Sequence, residues 1–186
     1  MPLTDFPIFQ PAKRKKIYLE FYSLLFLIIA SIAFIWMHSV TEINVFVFWI
    51  ITLIFILSFV PLIVTLILNH YKIDFKRGKF KGNLILGKNE IRIAEQIILL
   101  KDIESIHFIN DDFFIRYERN KWIGPKISSG VGNICTIKLK EGKTIFVNFY
   151  QSHDNELVKA EILLQYYNNR NILSTDNLKR ILEGEN

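Results

Sequence analysis

Hydrophobic positions follow three successive rhythms along this chain. Over residues 17–37 (IYLEFYSLLFLIIASIAFIWM) and again over 43–68 (INVFVFWIITLIFILSFVPLIVTLIL) they run almost without a break. After Tyr71 they alternate with polar residues, and after Asp154 they recur three and four positions apart. A helix needs about 20 apolar residues to cross a hydrocarbon core of about 30 Å, so each run is long enough to span. The second is longer than necessary, and Pro61 is where it is expected to bend. A cleaved signal peptide is not expected, because the first run is too long, lacks a small-residue cleavage site and is followed at once by a second span.

The alternating region predicts about eight short strands: 71–75, 80–86, 90–94, 97–100, 105–109, 113–119, 134–140 and 144–150. Glycine-bearing turns separate several of them, and Glu141-Gly142-Lys143 reads as a compact hairpin. No connection is long enough for the crossover helix that parallel strands need. The expected fold is a two-helix transmembrane hairpin followed by a small antiparallel β-barrel with C-terminal helices. Residues 1–16 form a cytoplasmic N-terminal segment, 17–70 the spans and 71–186 the barrel-like domain. Helix 154–167 places Leu157, Ala160, Leu164 and Tyr167 on one face and is expected to plug the barrel or cover a sheet edge. A second helix, 175–183, begins at Ser174-Thr175-Asp176 and ends at Gly184.

Composition changes this picture only through its uneven distribution. The 186 residues are 51% hydrophobic, yet from Phe21 to Tyr71 the sole formal charge is Glu42, and all eight glycines lie beyond position 77. That segregation excludes a simple soluble domain, a disordered chain and a fibre. Lys13, Arg14, Lys15 and Lys16 precede the first span, and Lys72, Lys76, Arg77, Lys79 and Lys81 follow the second. The connecting turn has no Lys or Arg, so both termini are expected in the cytoplasm. The single Cys135 excludes an internal disulfide and a multi-cysteine zinc site.

Candidate chemistry is sparse. There is no phosphate-binding P-loop, nucleophile elbow, zincin motif or dinucleotide fingerprint, and no histidine sits at ligand spacing from a cysteine or carboxylate. Neither an enzyme, a metal nor a cofactor is expected. Cys135 with His107 is the one conceivable nucleophile pair, against the commoner buried structural thiol. Ser128-Ser-Gly-Val-Gly-Asn133 reads as a loop with left-handed positions or, alternatively, as a phosphate nest. The spans carry no central charge, which favours an anchor or an oligomerising element, with Ser31, Ala33, Ser58 and Thr65 as contacts. Arg116, Tyr117, Arg119, Lys121, Trp122 and Lys126 interleave cations with aromatic rings. Guanidinium groups match phosphate and rings stack on bases, so this is the candidate ligand site for a nucleotide, the alternative being a solvated hairpin. A nucleic-acid polymer is not expected as partner, since the cytoplasmic part is only mildly basic.

The layout of two N-terminal spans, almost no outer loop, a strand-rich cytoplasmic domain and a closing helix resembles the two-transmembrane, β-strand-rich effectors of CBASS antiphage systems. The resemblance implies a cyclic nucleotide as activating ligand, self-association into oligomers and disruption of the lipid bilayer, leading to cell death. The run Ile98-Leu-Leu-Lys-Asp-Ile-Glu-Ser-Ile106, with strands and a last helix after it, is also similar to a membrane-tethered bacterial PH-like domain, which implies a scaffold or interaction module. A toxin-neutralising immunity protein is a third expectation.

Overall fold

The computed structural model describes residues 4–12, 19–39, 44–119, 121 and 124–183. The basic run 13–16, Glu42, Trp122 and Gly184 lie outside them. In chain order the strands and α-helices are β1 (Thr4–Pro11), α1 (Leu19–Ser39), α2 (Val45–Tyr71), β2 (Ile73–Asp74), β3 (Gly78–Leu86), β4 (Glu90–Ile93), β5 (Gln96–Leu99), β6 (Ile103–Ile109), β7 (Phe114–Tyr117), β8 (Ile127–Ser129), β9 (Asn133–Leu139), β10 (Thr144–Phe149), α3 (Glu161–Asn169) and α4 (Thr175–Glu183). They fall into two compact units, one of Met1–Lys15, Phe75–Tyr117 and Ser128–Asn186, the other of Lys16–Asp74 and Glu118–Ile127.

The second unit holds the two apolar helices. Their 21 and 27 residues correspond to about 32 and 40 Å of helix, enough to cross a membrane. Nearly all their large side chains face outward, as a lipid environment allows. What they bury against each other is small or slim: Ser23, Ala30 and Met37 on α1, Ser58 and Thr65 on α2. Each set is spaced by seven, the repeat that keeps one narrow stripe of a helix against its partner. Phe34 and Phe55 stack between them with ring centroids 4.7 Å apart. Of the residues expected to touch other copies in an oligomer, Ser58 and Thr65 are buried within this one hairpin, whereas Ser31 is half-buried and Ala33 exposed. The hydroxyls bond within their own helices, Ser31 to Leu27 O at 2.8 Å and Thr65 to Pro61 O at 2.7 Å, which removes their cost in an apolar medium.

The first unit is a seven-stranded, wholly antiparallel sheet in the order β5-β4-β3-β1-β10-β9-β6. Seven of the eight strands expected after Tyr71 correspond to observed strands within a few residues, and the first of them, 71–75, shrinks to β2. Two findings depart from expectation. Among the described residues the sheet does not close into a barrel, because β5 and β6 are its unpaired ends. And Thr4–Pro11, read as part of a separate N-terminal segment, is the central strand β1, paired with β3 from Thr4↔Leu86 to Pro11↔Gly78. The two apolar helices are thus an insertion in a β-hairpin whose arms meet at Ala12 N–H to Arg77 O, 2.8 Å. Pro7 and Pro11 obscure the strand in the sequence, since proline is rare in mid-sheet. The ladder accommodates Pro7 beside an irregularity between Pro7 and Phe9. There Gly82 holds φ +69°, and a Cβ would meet that of Ala94 at 2.7 Å.

The core lies on one face of the sheet, with Phe6, Leu84, Ile91, Phe108, Ile137 and Phe149 under a lid of Leu157, Ala160, Leu164 and Tyr167. The lid face is the one read from the sequence, although its first turn, Glu156–Ala160, is 3-10 helix. Burial pushes the Tyr167 hydroxyl's pKa up, and that hydroxyl donates to Gly87 O at 2.7 Å. The C-terminal segment also covers the β6 edge. Ile106 N–H donates to Ile172 O, and the Asn177 amide both accepts from Phe108 N–H and donates to Phe108 O, each at 2.8 Å. A side chain here replaces the missing strand, a device against edge-to-edge pairing. Asn177→Leu is therefore expected to lower stability by about 1–3 kcal/mol, read by chemical denaturation, whereas a loss below a few tenths would show that water serves this edge equally well.

Candidate ligand cleft

The residues expected to hold a nucleotide do not form one cluster. Arg116 and Tyr117 belong to the sheet unit, and Arg119, Lys121 and Lys126 to the unit of the two helices. Lys121 is engaged in ion pairs, its ammonium 2.6 Å from the buried Asp74 and 3.4 Å from Glu118. Lys126 N–H donates to Asn69 O at 2.9 Å, and Glu118 N–H donates to Lys126 O at 2.8 Å. The segment therefore ties itself to the end of α2 and the chain leaving it, and the Lys121 ammonium serves that contact. Arg119 is exposed, Tyr117 lies at the end of β7, and Trp122 is outside the described residues.

Arg116 reaches a polar pocket with Asn110, Asp111, Phe113, Asp154, Asn155 and Arg180. Ile115 before it holds φ +70°, a left-handed backbone that a β-branched residue adopts at a cost of about 1–3 kcal/mol. Arg180 also donates to Phe108 O at 2.6 Å. The pocket's volume is about 210 Å³, below the range of roughly 300–1,000 Å³ that encloses an organic ligand. It is too small to enclose a whole nucleotide, and Asp111 and Asp154 set two carboxylates beside its two guanidinium groups.

The Ser128–Asn133 loop is not an empty nest. Gly132 N–H donates to Asp112 Oδ2 at 2.6 Å and Gly130 N–H to Ser128 Oγ at 3.1 Å, so the anion the loop binds is the chain's own carboxylate. Gly130 is at φ +75°, with Gln151 O 2.5 Å from where a Cβ would sit. Behind it, Asn133 and Gln151 are wholly buried. Gln151 Nε2 donates to Asn110 O (3.0 Å), Asp112 O (3.3 Å) and Asn133 Oδ1 (3.0 Å), and its Oε1 accepts from Leu157 N–H at 3.1 Å. Two buried amides thereby fix the loop, two strand ends and the start of the lid.

The conceivable thiol–imidazole pair is not assembled. Across β6 and β9, Cys135 lies opposite Phe108 and His107 opposite Thr136, so the two side chains point to opposite faces. Burial pushes the Cys135 thiol's pKa far up, which withholds the thiolate a nucleophile needs. Burial and then the nearby Arg180 charge lower the pKa of His107. Among the described residues no group of three or more His, Cys, Asp or Glu is placed to hold a metal ion.

A concavity larger than the polar pocket draws on none of the residues expected to hold a nucleotide. Pro7, Phe9, Phe75, Lys76, Gly78, Phe80, Phe114, Ser129, Val131 and Tyr150 line a cleft of about 550 Å³. It lies on the outer face of the sheet, since Phe6 and Ile8 point into the core and Pro7 and Phe9 away from it. Phe9 and Phe80 are register partners in edge-to-face contact at 5.6 Å, and Tyr150 meets Phe80 at 5.8 Å. Phe9 comes from β1, so no reading that omits that strand could assemble this wall. The exposed aromatics in 75–80, interleaved with cations, were the available signal. No family model, curated protein or solved structure matches this chain.

Proposed function

We propose that this protein is a bacterial inner-membrane, PH-like binding module, a scaffold held at the lipid surface rather than an enzyme. One observation carries the reading, the strand order. A four-strand meander (β1, β3, β4, β5) joins a three-strand meander (β6, β9, β10) through its first and last strands, with a helical lid after them. That arrangement resembles a PH-like domain with a membrane hairpin inserted after its first strand. β1 and β3 are hydrogen-bonded neighbours that bracket the two spans, which supports both ends of the hairpin returning to one side, the cytoplasm by its basic flanks.

A second reading, the CBASS-type sensor that oligomerises on a cyclic nucleotide, is favoured by two guanidinium groups, Arg116 and Arg180, in one polar pocket. A thermal-shift screen of the full-length protein in nanodiscs separates the two. The module reading expects anionic lipid to raise the midpoint and no cyclic di- or trinucleotide to do so. A selective rise with one cyclic nucleotide, about 2.7 kcal/mol at a hundred times its dissociation constant and abolished by Arg116→Ala, would replace the module with the sensor.

A further inference from the structure

Phe75-Lys76-Arg77-Gly78-Lys79-Phe80-Lys81 is exposed at every position. Aromatic rings alternating with long cationic side chains are the composition that settles at the headgroup level of an anionic leaflet. Phe75 follows Tyr71, the last residue of α2, by four positions, a stretch that reaches at most about 14 Å fully extended. Both exposed rings, Phe75 at 66% and Phe80 at 59% exposure, form walls of the aromatic cleft. Apart from Lys76, the polar side-chain groups of the lining are the hydroxyls of Tyr150 and Ser129. Ser129 Oγ is buried and without a hydrogen-bond partner among the described residues. A buried hydroxyl is expensive to leave unpaired, so an oxygen-bearing occupant answers it.

We infer that the cleft holds one acyl chain of an anionic phospholipid. Phe9, Phe75, Phe80, Phe114 and Val131 cover the chain, an ester oxygen accepts from Ser129, and the phosphate faces Lys76, Arg77 and Lys79. A volume of about 550 Å³ is within the range of sites for molecules of that size. A water-soluble anion would leave the aromatic wall without a function, and an apolar peptide would leave the cations without one. The inference rests on the lipid-proximal module reading and deepens it.

The test uses the full-length protein in vesicles of phosphatidylcholine and phosphatidylglycerol, the latter carrying a photoactivatable diazirine on its acyl chain. After irradiation, peptide mapping is expected to find label on 75–81 and 127–131 as well as on α1 and α2. Phe75→Glu and Phe80→Glu alter exposed rings and should leave the fold intact. Each is expected to cut cleft labelling about tenfold by placing a carboxylate against the chain, with labelling of the helices unchanged. Label confined to α1 and α2, or cleft label indifferent to both substitutions, would overturn the inference. Equal labelling by a phosphatidylcholine probe, equal labelling by a short-chain soluble analogue, or cleft peptides cross-linked to a second copy would each overturn it too. Cleft labelling that persists while anionic lipid leaves the midpoint unchanged would support the site and count against the module, so the two failures are distinguishable.

Discussion

A chain beginning at residue 72 is expected not to fold, although it contains every segment whose pattern reads as soluble. Such a piece lacks β1, and β3 and β10 then lose the strand that joins them. Phe6, Ile8 and Phe9, at 1%, 9% and 6% exposure, go with it. Three buried apolar side chains are worth about 1.5–3 kcal/mol each, a sum comparable with the whole net stability of a domain, about 5–15 kcal/mol. Residues 72–186 alone should give no cooperative thermal transition and should bind a dye for exposed apolar surface. The arms of the β1–β3 hairpin meet at Ala12 and Arg77, so joining residues 1–12 to 77–186 through a short turn is expected to restore a cooperative, soluble domain without the spans. A sharp melt from residues 72–186 alone would remove β1 from any necessary role.

The second large effect is expected at Gln151. Leucine is of similar volume and would fill the space, yet it would leave Leu157 N–H and the carbonyls of Asn110 and Asp112 without this partner in a site closed to water. At about 1–3 kcal/mol for each buried polar group left unsatisfied, Gln151→Leu should cost roughly 3–5 kcal/mol. Chemical denaturation of the joined 1–12/77–186 domain measures it. Gln165→Leu, on the exposed side of α3, should by contrast stay within about 0.5 kcal/mol. Equal losses at the two positions would mean that the amide network contributes nothing beyond packing. Because the Gln151 amide also holds Asn133, whose own amide donates to Gly130 O at 3.1 Å, its loss should loosen the Ser129–Val131 wall of the cleft.

How much of this was legible in the sequence depends on how far apart the interacting residues lie. The spans were legible because membrane crossing is a property of one continuous run, and α1 and α2 fall within a few residues of the expected bounds. Strands β3 to β6, β9 and β10 and the lid face Leu157, Ala160, Leu164 and Tyr167 were legible because burial of one face imposes a period of two or 3.6. β1 was not. Thr-Asp-Phe-Pro-Ile-Phe-Gln-Pro has two prolines and no regular alternation, and its partners on β3 lie some seventy positions away.

The candidate sites show the same division. Residues 116–126 are a dense basic–aromatic run, but Asp74, far back in the sequence, takes up Lys121, and the run divides between two compact units. The glycine loop looked open to an anion because Asp112, which fills it, lies twenty residues before Gly132. The aromatic cleft draws its wall from β1, 75–80, 114, 129–131 and 150, none of which is a motif alone. Sequence by itself determined which segments are apolar enough to span, which alternate and which carry charge, since each property is local. Tertiary structure decided which strand completes the sheet, which charges are already paired and where an apolar cavity opens, since each depends on chain segments meeting across long separations.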